Sequence, residues 1–234
     1  MTHRANKYGQ PIGNALPDWA PCPRPDHTKL RGQYADVVML DAVAHGDDLF
    51  AAFTTPSSGL WTYLSVGPFA DRPSFDVFLA GIAASTDPLL YAIINTATGR
   101  AEGFASYLRI TPDAGSLEIG YIAMSPMMQR TRIATEAMYL MMAHAFDDLG
   151  YRRYEWKCDS LNAPSVRAAK RYGFTPEGVF RQATVYKNRN RDTAWFSILD
   201  SEWPAIKTGF QTWLAPANFD DDGVQKTSLT TSIV

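Results

Sequence analysis

Two arginines stand one residue apart in the stretch Met127-Met128-Gln129-Arg130-Thr131-Arg132-Ile133-Ala134-Thr135-Glu136-Ala137, just where an apolar repeat begins that predicts a helix. The segment before it, Ser116 to Met124, reads as a strand closed by Ser125-Pro126, because proline cannot donate to a sheet ladder. A strand that runs through a short turn into a helix gathers unpaired backbone N–H groups, and the helix dipole adds partial positive charge there. Such a turn can bind a phosphate or pyrophosphate, and Arg130 and Arg132 would add full charges to it. The competing reading is two arginines on a solvated helix turn.

The elements that position this turn follow from periodicity. Apolar residues at Ala134, Met138, Met141, Ala145 and Leu149 share one helical face, and Gly150 supplies a stop. Upstream, the sequence predicts a strand over Ala35 to Leu40, short helices around Asp47 to Phe53 and Pro73 to Ala84, and a hairpin. Leu89 to Ile94 and Ala101 to Ile110 form its arms around Asn95-Thr96-Ala97-Thr98-Gly99. Downstream, Tyr151 to Cys158 alternates, with Tyr154, Trp156 and Cys158 on one face and Arg153, Glu155 and Lys157 on the other. A helix over Ala163 to Tyr172 closed by Gly173, strands over Glu177 to Tyr186 and Thr193 to Leu199, and a helix near Glu202 to Leu214 complete a mixed α/β domain.

Residues 1–33 hold five prolines and read as an extended arm packed on the body through residues such as Trp19; residues 34–214 form the domain; residues 215–234, rich in Asp and Thr, read as a tail. With 234 residues, 46% hydrophobic, and a formal net charge of −2, the chain suits one globular domain with arms and gives no electrostatic reason to expect nucleic acid. The first residues lack the apolar core of a signal peptide, and no run approaches the roughly 18 apolar residues of a spanning helix, so a cytoplasmic protein without membrane contact is expected. Cys22 and Cys158 lie far apart, and His3, His27, His45 and His144 show no ligand spacing; no metal site is expected.

Three passages together resemble the GCN5-related N-acetyltransferase (GNAT) superfamily, and within it the ribosomal-protein-type acetyltransferases, over roughly residues 35–200. They are the strand Leu117 to Pro126, the loop Gln129 to Glu136, and Asn162-Ala163-Pro164-Ser165 followed by Tyr172-Gly173-Phe174. The resemblance implies the GNAT acyl-CoA N-acyltransferase fold, with a mixed, mostly antiparallel sheet flanked by helices. It also implies transfer of an acetyl group from acetyl-CoA to a primary amine of a small molecule or protein N-terminus. Gln129, Arg130, Thr131, Arg132, Ile133, Ala134 and Thr135 would then form the pyrophosphate loop; backbone at Ala123 and Met124 would meet the thioester and pantetheine arm, and Asn162 would hold a pantetheine amide. Arg132 occupies a position that is glycine in the family's usual loop, and its guanidinium would reach a phosphate if its backbone stays helical. Glu118 becomes the candidate base, or else a strand-surface glutamate; Ser165 becomes a candidate acid for the leaving sulfur, or else a helix cap. Ala169 stands where many relatives carry a tyrosine acid, and Tyr172 is a weaker candidate set against core packing. An alternative is a catalytically silent coenzyme A-binding or assembly protein, which the Arg132 departure and the missing tyrosine motivate. The aromatics Trp61, Tyr63, Phe69 and Phe75 lie where relatives build an acceptor wall and equally suit a core. The arm and tail suit wrapping a neighbour in a homodimer, and packing on their own domain explains them as well.

Overall fold

A computed structural model describes residues 4–26, 28–54 and 59–232, so His3 and His27 fall outside the described residues. A two-stranded ribbon, β1 (Arg4–Ala5) and β2 (Pro11–Ile12), opens the arm. The body follows as β3 (Leu30–Arg31), β4 (Ala35–Met39), α1 (Ala42–Phe53), α2 (Arg72–Ala83), β5 (Leu89–Asn95), β6 (Ala101–Thr111), β7 (Ser116–Met124), α3 (Arg132–Ala143), β8 (Arg153–Asp159), α4 (Ala163–Arg171), β9 (Thr175–Tyr186), β10 (Arg189–Leu199), α5 (Trp203–Leu214) and α6 (Leu229–Ser232). Strands β3 to β10 form one sheet in the order β3-β4-β5-β6-β7-β8-β10-β9, antiparallel throughout except for the parallel pair β7 and β8. This is the expected mixed, mostly antiparallel sheet.

The alternation read in Tyr151 to Cys158 sorts the two faces. Tyr154, Trp156 and Cys158 enter a core with Met138, Met141 and Met142 of α3 and Ile206 and Phe210 of α5. A second core gathers Leu49, Phe53, Trp61, Phe75, Leu79 and Phe104. Trp61 and Phe75 are therefore core residues, joined edge-on to Phe53 at 5.5 and 6.3 Å, rather than an open acceptor wall.

Helix ends follow local capping chemistry. Asp41 accepts hydrogen bonds from the Val43 and Ala44 N–H groups at 2.8 and 2.9 Å, which starts α1 five residues before the expected Asp47. Asp71 and Ser74 form a reciprocal capping box on α2. Helix α3 ends at Ala143, and the expected last turn to Leu149 widens into a π turn over His144–Asp148, closed when Leu149 N–H donates to the His144 carbonyl; Gly150 then takes the left-handed φ of +70°.

Both flanks are tied to the body. Trp19 Nε1 donates to the Asp113 carbonyl at 2.9 Å, and its ring lies so close to Gly115 that a Cβ there would come within 2.4 Å of it. The stretch from Ala215, expected as a tail, packs instead. Phe219 and Leu229 are buried in the main core, and Trp213 Nε1 donates to Gln225 Oε1 at 2.7 Å. Indole and phenyl rings needed partners that the Asp- and Thr-rich composition did not advertise.

Glu136, buried in the second turn of α3, fixes the entry to the sheet. Its carboxylate accepts from the N–H groups of Gln33 at 2.9 Å, Tyr34 at 2.5 Å and Ala35 at 2.7 Å. Gly32 leaves the space, since a Cβ there would lie 2.5 Å from the Glu136 carboxyl carbon. Glu136→Ala should cost about 3 kcal/mol, because it strands three backbone donors. Urea unfolding measures this, and a midpoint unchanged from the parent would show that water replaces the carboxylate without loss.

Candidate active site

The parallel ladder between β7 and β8 pairs Ser116 with Arg153 and ends at Ile119 with Trp156, although β7 runs on to Met124 and β8 to Asp159. The two strands therefore fork. A bulge in β7 marks the fork, where Tyr121 and Ile122 oppose the single β6 residue Ala105, between the pairs Ser106–Gly120 and Phe104–Ala123. Tyr121 takes a positive φ of 50°, and Ser106 Oγ donates to the Gly120 carbonyl at 3.0 Å. Gly120 is needed there: a Cβ would sit 2.8 Å from Leu108 Cδ2 and 3.3 Å from Glu118 Oε1. Ala123 is buried beneath the strand's end and Met124 is half-buried.

The chain then turns into α3. Buried Met128 anchors the turn, with its N–H and that of Gln129 donating to the Ser125 carbonyl at 3.0 Å each, while Gln129 Nε2 donates to the Met124 carbonyl at 3.0 Å. Exposed Arg130 takes a left-handed φ of 65°. Thr131 Oγ1 donates to the Met128 carbonyl at 2.6 Å and accepts from Ala134 N–H at 3.4 Å, making it the N-cap of α3. The N–H groups of Arg132 and Ile133 are left without an acceptor among the described residues, as the first turn of a helix requires. Free donors at a helix N-terminus suit an anionic group.

The side chains in this loop divide. Arg132 lies with its guanidinium 4.8 Å from the Tyr34 ring and 4.5 Å from the Phe219 ring, so it stacks between the sheet entry and the C-terminal segment rather than pointing free for a phosphate. Thr135 is also turned inward, its hydroxyl donating to the Thr131 carbonyl at 3.1 Å and accepting from Arg171 at 3.1 Å. Ala134 is core and Ile133 packs against it, which leaves backbone as what they offer a ligand. Asn162 is the N-cap of α4, accepting from Ser165 N–H at 3.2 Å. The cap is Asn162, not Ser165. Ser165 Oγ instead accepts from Trp156 Nε1 at 3.0 Å. It also lies against the Cys158 thiol, whose pKa burial raises. Tyr172 and Ala169 are core.

Glu118 is buried just before the fork, and the parallel register sets it beside Glu155 of β8. Its Oε2 lies 3.0 Å from Lys157 Nζ and 3.6 Å from Arg109 Nε, with no well-aligned hydrogen bond to fill it. Lys157 Nζ is also 2.8 Å from Glu155 Oε2 and 3.6 Å from the centre of the Trp195 ring. Burial raises the Glu118 pKa, and the Lys157 and Arg109 charges only partly oppose that rise. For Glu155 burial also works upward, but the adjacent Lys157 ammonium and Arg153 guanidinium outweigh it and leave its pKa lowered. The pKa values of two neighbouring carboxylates are thereby driven apart, the condition in which one can take up a proton while the other stays ionised.

The strand pattern alone puts Glu155 and Lys157 on one face of β8 but does not join them to Glu118, and it gives no sign of Trp195 or Arg109. The signal that could have joined them is the Glu-x-Lys alternation of β8 set parallel to the strand carrying Glu118. Asp159, where β8 ends, accepts from Tyr186 OH at 2.8 Å and from Leu161 N–H at 2.9 Å. Tyr63 donates to the Leu161 carbonyl at 3.1 Å, so it braces this side of the fork.

Comparison with known proteins fits this geometry. The acetyltransferase (GNAT) domain family matches residues 38–175. A GCN5-related N-acetyltransferase from Brucella melitensis is 47% identical, with a TM-score of 0.92 over 93% of this chain and 99% of that one. The uncharacterized N-acetyltransferase YnaD of Bacillus subtilis (strain 168) is 30% identical over 37% of this chain, and the match spans half of that relative's length. An acetyl transferase from Salmonella typhimurium that modifies the N-terminal serine of ribosomal protein L7/L12 is 19% identical with a TM-score of 0.63, over 74% of this chain and 99% of that one, and shares the fold alone.

Arg132→Ala should cost about 1–2 kcal/mol, the worth of two partly desolvated cation–π contacts, and should speed tryptic cleavage at Lys226 in the segment that Phe219 anchors. Parent-like cleavage and melting would show that the stack holds nothing.

Proposed function

The chain belongs to the acetyltransferase (GNAT) family, and from that membership we propose that it moves an acetyl group from acetyl-CoA directly to a primary amine. The observation that carries this reading is the fork between β7 and β8, which has a buried carboxylate at its base and a helix N-terminus with free N–H donors beyond its end. The edge of β7 that faces β8 beyond the fork, along Tyr121 to Met124, has no strand partner there and suits the amides of an extended pantetheine arm, because a strand edge binds whatever offers matching donors and acceptors. The pyrophosphate would lie on the N–H groups of Arg132 and Ile133, with exposed Arg130 adding charge.

In this reading Glu118 takes the proton of the acceptor's ammonium, directly or through a water. The freed nitrogen lone pair attacks the thioester carbonyl carbon, a C–N bond forms, the C–S bond breaks, and the thiolate leaves. The nitrogen's second proton passes to the thiolate, so coenzyme A departs as the thiol. Ser165 is poorly suited to supply that proton. Its hydroxyl oxygen is engaged by the Trp156 indole, and it would act only if it turned toward the sulfur.

The acceptor is proposed as a small-molecule amine or a protein N-terminus, in line with the ribosomal-protein-type motifs Asn162 to Ser165 and Gly173-Phe174. A cytoplasmic homodimer belongs to the same proposal. It would draw on the N-terminal arm, exposed from Pro11 to Ala20, because the C-terminal segment is spent on its own core.

Glu118→Gln should lower kcat by roughly 10²- to 10⁴-fold, the usual worth of a general base. Calorimetry should find acetyl-CoA bound at about −8 kcal/mol, that is micromolar, in both proteins. In the parent, activity should be lost as pH falls through the raised Glu118 pKa, so the acid limb should lie above the ordinary carboxylate range, since only the ionised form accepts a proton. Unchanged turnover in Glu118→Gln would remove Glu118 from the mechanism; absence of binding heat in the parent would remove acetyl-CoA from it.

A further inference from the structure

We infer that Lys157 is the positioning residue of this site: its buried ammonium, clamped between Glu118, Glu155 and the face of Trp195, holds the Glu118 carboxylate at the fork in its proton-accepting state. The inference rests on the reading of Glu118 as the base. Lys157 projects from β8 one residue past the last β7–β8 pair, which is the first position at which the two strands no longer bond. Its side chain is 7% exposed, and its ammonium is within 3.0 Å of one carboxylate and 2.8 Å of another. Trp195, its cross-strand partner on β10, closes the remaining side at 3.6 Å.

A cationic side chain so enclosed has little access to water, and the two carboxylates and the indole face stand in its place. Those charges can be counted around Glu118. From β6 comes Arg109, 3.6 Å away but 62% exposed and therefore screened; from β8 come Lys157 and the opposing Glu155; β10 offers the neutral Trp195. Arg153 is occupied on the far side of Glu155 and by Glu177. Lys157 is thus the one buried cation touching Glu118 among the described residues, and it divides its charge between two carboxylates. Glu155 acts on the base in the opposite sense, both by repulsion and by drawing on the same ammonium. The site is a three-body balance in which changing either neighbour moves the Glu118 proton in a known direction.

The test is the pH dependence of kcat/KM for acetyl transfer, measured alongside Glu118→Gln as the control. Lys157→Met removes the cation and leaves burial unopposed, so the acid limb should move up by about one pH unit or more. Lys157→Arg should restore the limb to within about half a unit. Glu155→Gln removes the repelling carboxylate and leaves the Lys157 ammonium to Glu118 alone, so the limb should move down, and it should move less when combined with Lys157→Gln, a difference that a merely structural role for Lys157 would not produce. It also keeps the inference testable if Lys157→Met fails to fold. Limbs that stay in place in Lys157→Met and Glu155→Gln, with Glu118→Gln inactive, would overturn the role of Lys157 while leaving the base intact. Full activity in Glu118→Gln would overturn both.

Discussion

Neighbouring strands of a sheet can diverge only by leaving backbone donors and acceptors without partners, and in this protein that happens in the middle of an eight-stranded sheet, between β7 and β8. Unpaired backbone in a buried place is costly, so a fork persists when the strands are bent away from each other by their own sequence and something else completes the pairing. Here the bend comes from β7 itself, through Gly120, the positive φ of Tyr121 and the extra residue opposite Ala105. The flanking layers hold the fork open. Helices α3 and α5 brace one face through Met138, Met141 and Phe210, and the aromatic cluster of Phe53, Trp61, Phe75 and Phe104 braces the other.

The same fork explains why ionisable groups are buried beside it. A carboxylate and an ammonium taken out of water lose more hydration than their attraction returns unless the geometry is close and the remaining valences are used. Glu118, Lys157 and Glu155 meet that condition incompletely, since Glu118 Oε2 and Lys157 Nζ lack well-aligned hydrogen bonds. An apolar pair at these positions would pack at no electrostatic cost, so their presence fits the proposed proton transfer better than a stabilising role. Glu136, by contrast, spends its carboxylate on three backbone donors and serves the fold.

Much of this architecture was legible from local pattern. The alternation of Tyr154, Trp156 and Cys158 marked the buried face of β8, the turn residues after Asn95 marked the hairpin, and Pro126 marked the end of β7, because each of these signals acts within a few residues. The turn into α3 was legible for the same reason, and its free N–H groups stand where the strand-to-helix reading put them. What escaped was decided by contacts distant in sequence. Arg132 looked like a phosphate ligand, but Tyr34 and Phe219, each more than 80 positions away, claim its guanidinium. The Asp- and Thr-rich C-terminal stretch looked like a tail because two residues, Phe219 and Leu229, carry its packing in the main core. Lys157 was legible only as a member of the charged face of β8, and its meeting with Glu118 came from the parallel register of the two strands.

The central claim is that the fork and the α3 N-terminus together receive acetyl-CoA, and amide chemical-shift mapping during titration with acetyl-CoA tests it most directly. The expected result is that the largest shifts fall on the amides of Tyr121 to Met124 and of Arg130 to Ile133, with the β1–β2 ribbon unmoved. Shifts confined to other surfaces, with those two stretches silent at saturation, would contradict it.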